Sequence, residues 1–283
     1  MPLTAFICPD GKTRPVKECL EKCPRPEGRC LSLPALHEIG RQREWKGEAS
    51  TTQLLNPTRL EYLKLTCDYA INPTDRAFAL LGTRHHQRLE MVANKIEGLI
   101  AEKKLDSNDV QKHSGILDLL EPDELQDGAY KLIDHKSWGS YAVAKILGRS
   151  NNGEYERLQA ALQLNDYRLK VEGVGFKISR LIVQATVRDG GTYIAKKNEV
   201  PEKMLMIPIE RLDDDFVVSY FSDKNKALMD ALKNKELPPM CDYEGRWANR
   251  RCKGFCDVVS FCPEGRMMNK LPKIREAQNE EAE

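Results

Sequence analysis

The sequence has almost no net charge: 44 Lys and Arg stand against 43 Asp and Glu in 283 residues. A global basic surplus therefore gives no argument for nucleic acid, and any such surface must be a local patch. No run approaches the roughly 20 apolar residues that span a bilayer. Met1 to Pro9 lacks the basic start, apolar core and cleavage site of a secretory leader. The chain is therefore expected in the cytoplasm, with no membrane partner. No Gly-x-x-x-x-Gly-Lys-Ser/Thr loop is present, so no ATPase is visible. An apolar fraction of 41% argues against disorder and for a real core.

What the chain does have is nine cysteines. In a reducing compartment these are not expected as disulfides, and their clustering points to metal. Cys8-x10-Cys19-x3-Cys23-x6-Cys30 nearly repeats Cys241-x10-Cys252-x3-Cys256-x5-Cys262. Each quartet can form a closed zinc site or an iron–sulfur site. The alternative is that cysteines are small buried hydrophobes. That reading suits Cys67, on an apolar helix, better than the Pro-, Lys- and Arg-rich N-terminus.

Composition and periodicity divide the chain. Residues 1–35 read as a small cysteine-held module with almost no core, folded by metal. Residues 36–50 read as a short helix and a polar linker. Asn56-Pro57-Thr58 starts a helix, and Asn72-Pro73-Thr74-Asp75 ends it. A long helix is expected over 75–104, with Ala79, Leu80, Leu89, Val92, Ile96, Leu99 and Ile100 as its apolar stripe. Gly115 to Leu120 and Ala129 to Lys136 read as a hairpin across a loop containing Pro122 and Asp127-Gly128. Helices follow over 138–148 and 154–172, separated by a loop at Asn151-Asn152-Gly153. Lys177 to Arg188 is a strand, and Tyr193 to Ala195 and Met204 to Ile209 are further strands. A helix over 213–235 turns Phe216, Val217, Tyr220, Ala227, Leu228 and Leu232 inward. The cysteines return at 241–265, and the polar tail 266–283 is expected to be disordered. The sum is a mixed α/β domain over 36–240, a small sheet flanked by helices.

In Leu132-Ile133-Asp134-His135-Lys136, strand alternation puts Asp134 and Lys136 on one face. A hairpin brings Asp118 beside Asp134. Two carboxylates and the His135 main-chain carbonyl make an oxygen-rich site for Mg²⁺ or Mn²⁺. Such an ion polarises a phosphodiester, and a nearby lysine stabilises developing charge. Alone, an Asp-x-Lys is more often a surface ion pair.

Gly115-x-x-Asp118 followed by Asp134-x-Lys136 resembles the core signature of PD-(D/E)xK nucleases. The preceding helix, Gly82-Thr83-Arg84-His85-His86-Gln87-Arg88-Leu89-Glu90, is similar to the Gly-Thr-x-x-His-x-x-x-Glu motif of the RecB-like branch. Gln163-Leu164-Asn165-Asp166-Tyr167 matches its Gln-x-x-x-Tyr motif. The elements occur in the family order and span roughly 56–262. The resemblance implies a restriction-endonuclease-like α/β core. It also implies that His86 is a metal ligand with Asp118 and Asp134, that Lys136 assists the water, and that Gln163 and Tyr167 place the DNA. Otherwise His86 is a helix histidine, with His85 beside it. Gln163 and Tyr167 are then polar groups at a core edge, and Asp166 and Asp213 to Asp215 a solvated face and helix start.

Cys252, Cys256 and Cys262 resemble the C-terminal triplet of iron–sulfur RecB-like nucleases, such as the AddB nuclease domain and the CRISPR-associated exonucleases. In that family a fourth, distant cysteine completes a [4Fe-4S] cluster. Here three residues, not two, separate Cys252 from Cys256. Cys67 and Cys241 are both candidates for the fourth ligand, and zinc remains an alternative. For Cys8, Cys19, Cys23 and Cys30, zinc and iron–sulfur both stand.

Lys12, Arg14, Lys17, Lys22, Arg25 and Arg29, and Arg246, Arg250, Arg251, Lys253 and Arg266, form two basic stretches that suit phosphates or plain solvent. Trp45, Trp138 and Trp247 suit base stacking or ordinary packing. The expectation is a Mg²⁺- or Mn²⁺-dependent DNA exonuclease in recombination, repair, phage replication or CRISPR adaptation, with any helicase or recombination partner a separate protein. The alternative is a non-catalytic DNA-binding or assembly protein.

Overall fold

The computed structural model describes residues 3–41, 44–149 and 153–271. Part of the expected linker, the expected loop at Asn151-Asn152 and most of the polar tail lie outside the described residues.

The chain is mixed α/β, with two mixed sheets flanked by helices. β1 (Leu3–Ile7) and β2 (Thr13–Pro15) flank a turn in which the Cys8 N–H donates to the Lys12 carbonyl at 2.9 Å. α1 (Val16–Glu21) and α2 (Leu33–Gly40) follow. α3 (Thr51–Leu55) begins with a capping box between Ser50 and Gln53, and α4 (Thr58–Thr66) begins after Pro57. β3 (Tyr69–Ile71) pairs parallel with β1, giving the order β2-β1-β3. Leu3, Phe6, Val16, Cys19, Leu36 and Ile71 make a small core there. The sequence predicts a module ending at residue 35 with almost no core. It instead has a core of its own, built partly with a strand from beyond that boundary.

The larger sheet has the order β4-β5-β6-β7-β8. After α5 (Ala77–Ala93) come β4 (Ile100–Leu105), β5 (Gly115–Pro122) and β6 (Tyr130–Trp138). α6 (Ser140–Ile146) and α7 (Glu154–Glu172) carry the chain across to β7 (Ile178–Val187), which lies parallel to β6. A parallel neighbour requires such a crossover. α8 (Tyr193–Lys197) and the antiparallel β8 (Met204–Ile209) complete the sheet. α9 (Asp214–Asn234) and the short α10 (Arg250–Gly254) and α11 (Pro263–Met268) close the chain.

Alternation along the strands sorts the two faces. Leu120, Leu132, Leu181 and Val183 pack under Leu164, Tyr167 and Val171 of α7. Leu119, Ile133 and Ile182 pack against Ala93 of α5 on the other side. The central strands are thus covered on both faces, and the site forms between α5 and α7 where β5 and β6 part beyond Leu119 and Ile133.

Three expectations need correction. The helix expected to run to 104 stops at Ala93, and Ile100–Leu105 is an edge strand paired with β5. Gly98, at φ 83°, turns the chain between them. Within α5 only Ala93 is buried; of the predicted stripe, Ala79, Val92 and Ile96 are exposed, and Leu80, Leu89, Leu99 and Ile100 are half-buried. Tyr193 to Ala195 is helical, because the Thr192 side chain accepts from the Ala195 N–H and caps a helix. On α9, Val217, Phe221, Leu228 and Ala231 are buried, whereas Phe216 and Ala227 are exposed.

Candidate metal and active site

β6 carries Asp134 and Lys136 two residues apart, and both side chains leave the sheet toward α7. Lys136 Nζ donates to Asp134 at 2.9 Å from Oδ1 and lies 2.8 Å from Oδ2. From α7, Gln163 Nε2 donates to Asp134 Oδ1 at 3.1 Å and lies 3.4 Å from the Tyr167 hydroxyl. Gln163 and Tyr167 are one helical turn apart, so one face supplies both. Gly115, at the start of β5, has a steric reason. A Cβ there would lie 2.6 Å from Tyr167 Cε1 and 2.9 Å from Thr51 Oγ1. The glycine lets the tyrosine ring lie against the strand.

The β5–β6 ladder ends at Leu119 opposite Ile133. One step further, the Asp118 side chain takes the His135 N–H, at 2.7 Å from Oδ2. From the opposite face, α5 presents His86, with Nδ1 3.4 Å from Asp118 Oδ2 and 3.7 Å from Glu102 Oε1. Glu102 sits on the edge strand β4 at φ 47°. A non-glycine residue in the left-handed region is strained, and such strain gathers at functional sites. The ligand atoms of His86, Glu102 and Asp118 all lie within 4.8 Å of one another. Among the described residues no other group of three His, Cys, Asp or Glu does so. One imidazole nitrogen and two carboxylates suit Mn²⁺ or Mg²⁺.

The two predicted carboxylates titrate apart. Burial pushes Asp134 up to about 6, with the Asp118 charge adding to it, although Lys136 pulls the other way. Asp118 is also buried, but its bond to His86 and the Lys136 charge bring it below the usual carboxylate value. Burial opposes the charge on Lys136, yet Asp134 and Asp118 outweigh it and raise its pKa. Asp118 also holds His86 above its ordinary value. Glu102 is raised, first by burial and then by the Asp118 charge. Environments that separate like groups in this way mark acid–base and metal sites.

The structure therefore brings His86 and Asp118 together, and adds Glu102, which falls within the helix expected over 75–104. Asp134, expected as a third ligand, stands beside the group with its carboxylate held by Lys136 and Gln163. His135 gives its N–H to Asp118. Its ring is buried 6.2 Å from His85 and 6.3 Å from His86, both edge to face, with Nδ1 unpartnered. Burial pushes His135 down to about 4, so the ring is neutral. His85 stays outside the group of three, with Nε2 3.4 Å from Thr186 Oγ1. Glu90 lines a cavity of about 170 Å³ with His86, Glu102 and Asp118. Asp166, expected on a solvated face, is fully buried. It accepts from Thr51 Oγ1 at 2.7 Å and Gln111 Nε2 at 2.6 Å, and lies 2.9 Å from His113 Nε2.

Eight of the nine cysteines fall into two sets whose members act on one another's titration. Burial raises the Cys19 thiol, and the charges of Cys23, Cys8 and Cys30 add to it. Burial pushes Cys256 up to about 11, with Cys252, Cys241 and Cys262 adding to it. Cys67 sits at the end of α4, its sulfur 3.8 Å from Thr66 Oγ1, and packs on the cluster that also receives Cys256 and Cys262. Several basic residues of the N-terminal stretch are already engaged. Arg14, Lys17 and Arg25 pair with Asp10, Glu21 and Glu27, and Arg29 donates to the Cys19, Leu20 and Glu21 carbonyls.

No described helix is long and apolar enough to cross a membrane. No family model matches the chain, and no curated protein does. Among solved structures, the crystal structure of SSO0001 is similar over 88% of this chain and 94% of its own, with 17% identity and a TM-score of 0.48.

Proposed function

We propose that the chain is a metal-dependent deoxyribonuclease with a PD-(D/E)xK core, working as an exonuclease on DNA ends. The observation that carries this reading is the meeting of His86, Glu102 and Asp118 within 4.8 Å, beside a lysine held on Asp134. Those three side chains would hold Mg²⁺ or Mn²⁺, with Asp134 adjacent. Such an ion, when bound, polarises the phosphodiester and makes hydroxide available near neutral pH. The chain's own groups do the rest. Lys136 presents a fixed positive charge where negative charge develops. Gln163 fixes the Asp134 carboxylate, and the Tyr167 hydroxyl steadies Gln163.

Cys241, Cys252, Cys256 and Cys262 would hold the [4Fe-4S] cluster, with Cys241 as the fourth ligand. Mutual charge effects among these four thiols support that grouping. No three of the described thiols converge within 4.8 Å. Zinc held by the same four thiols is the alternative. Cys8, Cys19, Cys23 and Cys30 would hold a second metal, zinc or iron–sulfur.

The test is degradation of linear and closed circular DNA with Mn²⁺ or Mg²⁺, by wild type and Asp134→Ala. The expected result is loss of linear DNA by wild type alone, with circles spared. Undiminished cutting by Asp134→Ala would overturn the reading.

A further inference from the structure

Asp134, Lys136 and Trp138 alternate along β6, so they share one face and step outward by about 7 Å per pair of residues. On α7, Gln163, Gln159 and Tyr155 follow at four-residue spacing and form a parallel row. Between the rows lies a cavity of about 260 Å³, whose lining includes Lys136, Gln163, Trp138, Tyr155, Trp247 and Arg251. The catalytic lysine and the strand-positioning glutamine thus stand at one end, and three aromatic rings surround the remainder.

The last wall comes from the segment between Cys241 and Cys252. Arg251 lies over the Trp247 ring at 4.3 Å and donates to the Gly245 carbonyl at 2.9 Å and Asn56 Oδ1 at 3.3 Å. Trp247, Ala248 and Asn249 have φ of 51°, 52° and 70°. Residues with a side chain visit this left-handed region singly, not in runs. Three in succession persist only where the surroundings over-determine them, and such strain collects at ligand clamps. Here the turn fixes the Trp247 ring against the cavity.

We infer that this cavity takes one unstacked nucleobase of the strand being cut, next to the scissile phosphate; this rests on the nuclease reading above. A slot walled by aromatic rings accepts the face of any base. It is too small for a large ligand, lying just below the roughly 300 Å³ where drug-sized pockets begin. A base enters only after leaving its duplex stack. The preferred substrate is therefore a single strand or a frayed end, and blunt duplex is cut more slowly.

The test uses single-stranded oligonucleotides, each with one abasic residue at a different distance from either end. With wild type, one position raises KM by roughly tenfold, the worth of one stacked base. Trp247→Leu raises KM on the intact strand by a similar factor, largely keeps kcat, and loses the abasic penalty. Trp247→Phe, which retains a ring, recovers most of the affinity, and unchanged visible absorption in all variants certifies the fold of the cysteine segment. Equal cutting of the whole series by wild type, or wild-type behaviour of Trp247→Leu, overturns the inference. If wild type cuts nothing, the nuclease reading fails, and the cavity is judged by binding alone. A strand carrying 2-aminopurine then loses fluorescence on wild type but not on Trp247→Leu if the cavity holds a base, and behaves alike on both if it does not.

Discussion

Replacing Glu102 by glycine should make the metal-free protein more stable and the metal-bound protein worse. At φ 47° the residue is strained, and left-handed backbone costs a residue with a side chain about 1–2 kcal/mol. Glycine removes that strain but loses about 0.5–1 kcal/mol of it to chain entropy. Glu102→Ala removes the same carboxylate and keeps the strain. The glycine variant should therefore exceed the alanine variant by about 0.5–1 kcal/mol, or about 1–4 °C in Tm. Both lose a carboxylate whose ionised form is disfavoured, first by burial and then by Asp118. With metal bound, the glycine variant falls below wild type. Changing a group that merely supports a metal ligand weakens binding about 10- to 100-fold, and losing a ligand should cost no less. At saturating Mn²⁺ a tenfold loss removes about 1.4 kcal/mol of the stabilisation that binding confers. Anaerobic thermal unfolding in EDTA and in Mn²⁺ reads both effects. An Mn²⁺-induced rise in Tm equal to wild type in Glu102→Gly would refute Glu102 as a ligand.

Asp166→Ala should destabilise the protein by about 3–5 kcal/mol, since it strands Thr51, Gln111 and His113 as buried donors at about 1–3 kcal/mol each, without full additivity. Chemical denaturation measures this, and a loss under 1 kcal/mol would contradict it. Mn²⁺ affinity should fall as pH drops, first as the ligand His86, held above its ordinary value by Asp118, takes up a proton, and again near 6 as the adjacent Asp134 does. The sign follows for folding too. Between the ordinary value of 3.8 and about 6 the folded state holds a proton the unfolded chain has lost, so Asp134 withdraws stability as pH rises through that window. Calorimetric Mn²⁺ titrations at pH 5 and 7, taken on either side of that value, check the first sign. Cys241→Ser should abolish the visible absorption of the anaerobic protein, whereas Cys67→Ser should keep it; the opposite pattern would move the fourth ligand to Cys67.

Strand alternation and helical spacing made much of the centre legible. Leu132 to Lys136 is a strand, Asp134 and Lys136 share its face, and Gln163 and Tyr167 share a face of α7. What escaped depended on tertiary pairing. Ala101, Glu102, Lys103 and Lys104 are good helix formers, and only pairing with β5 makes them a strand. Glu102 was hidden for that reason, although Gly98 marked the break. Asp166 looked like one more surface acid because its partners lie 53 to 115 residues away in sequence. From its sequence Trp247 suits stacking or packing, and only the fold brings it and Lys136 to one cavity.

The proposed function requires that one site both binds metal and cuts DNA. The most direct measurement is Mn²⁺ binding and linear-DNA degradation in the same preparations of wild type and Asp118→Ala. Wild type should do both, and the variant, still folded, should lose both together. Cutting that survives in Asp118→Ala would contradict it.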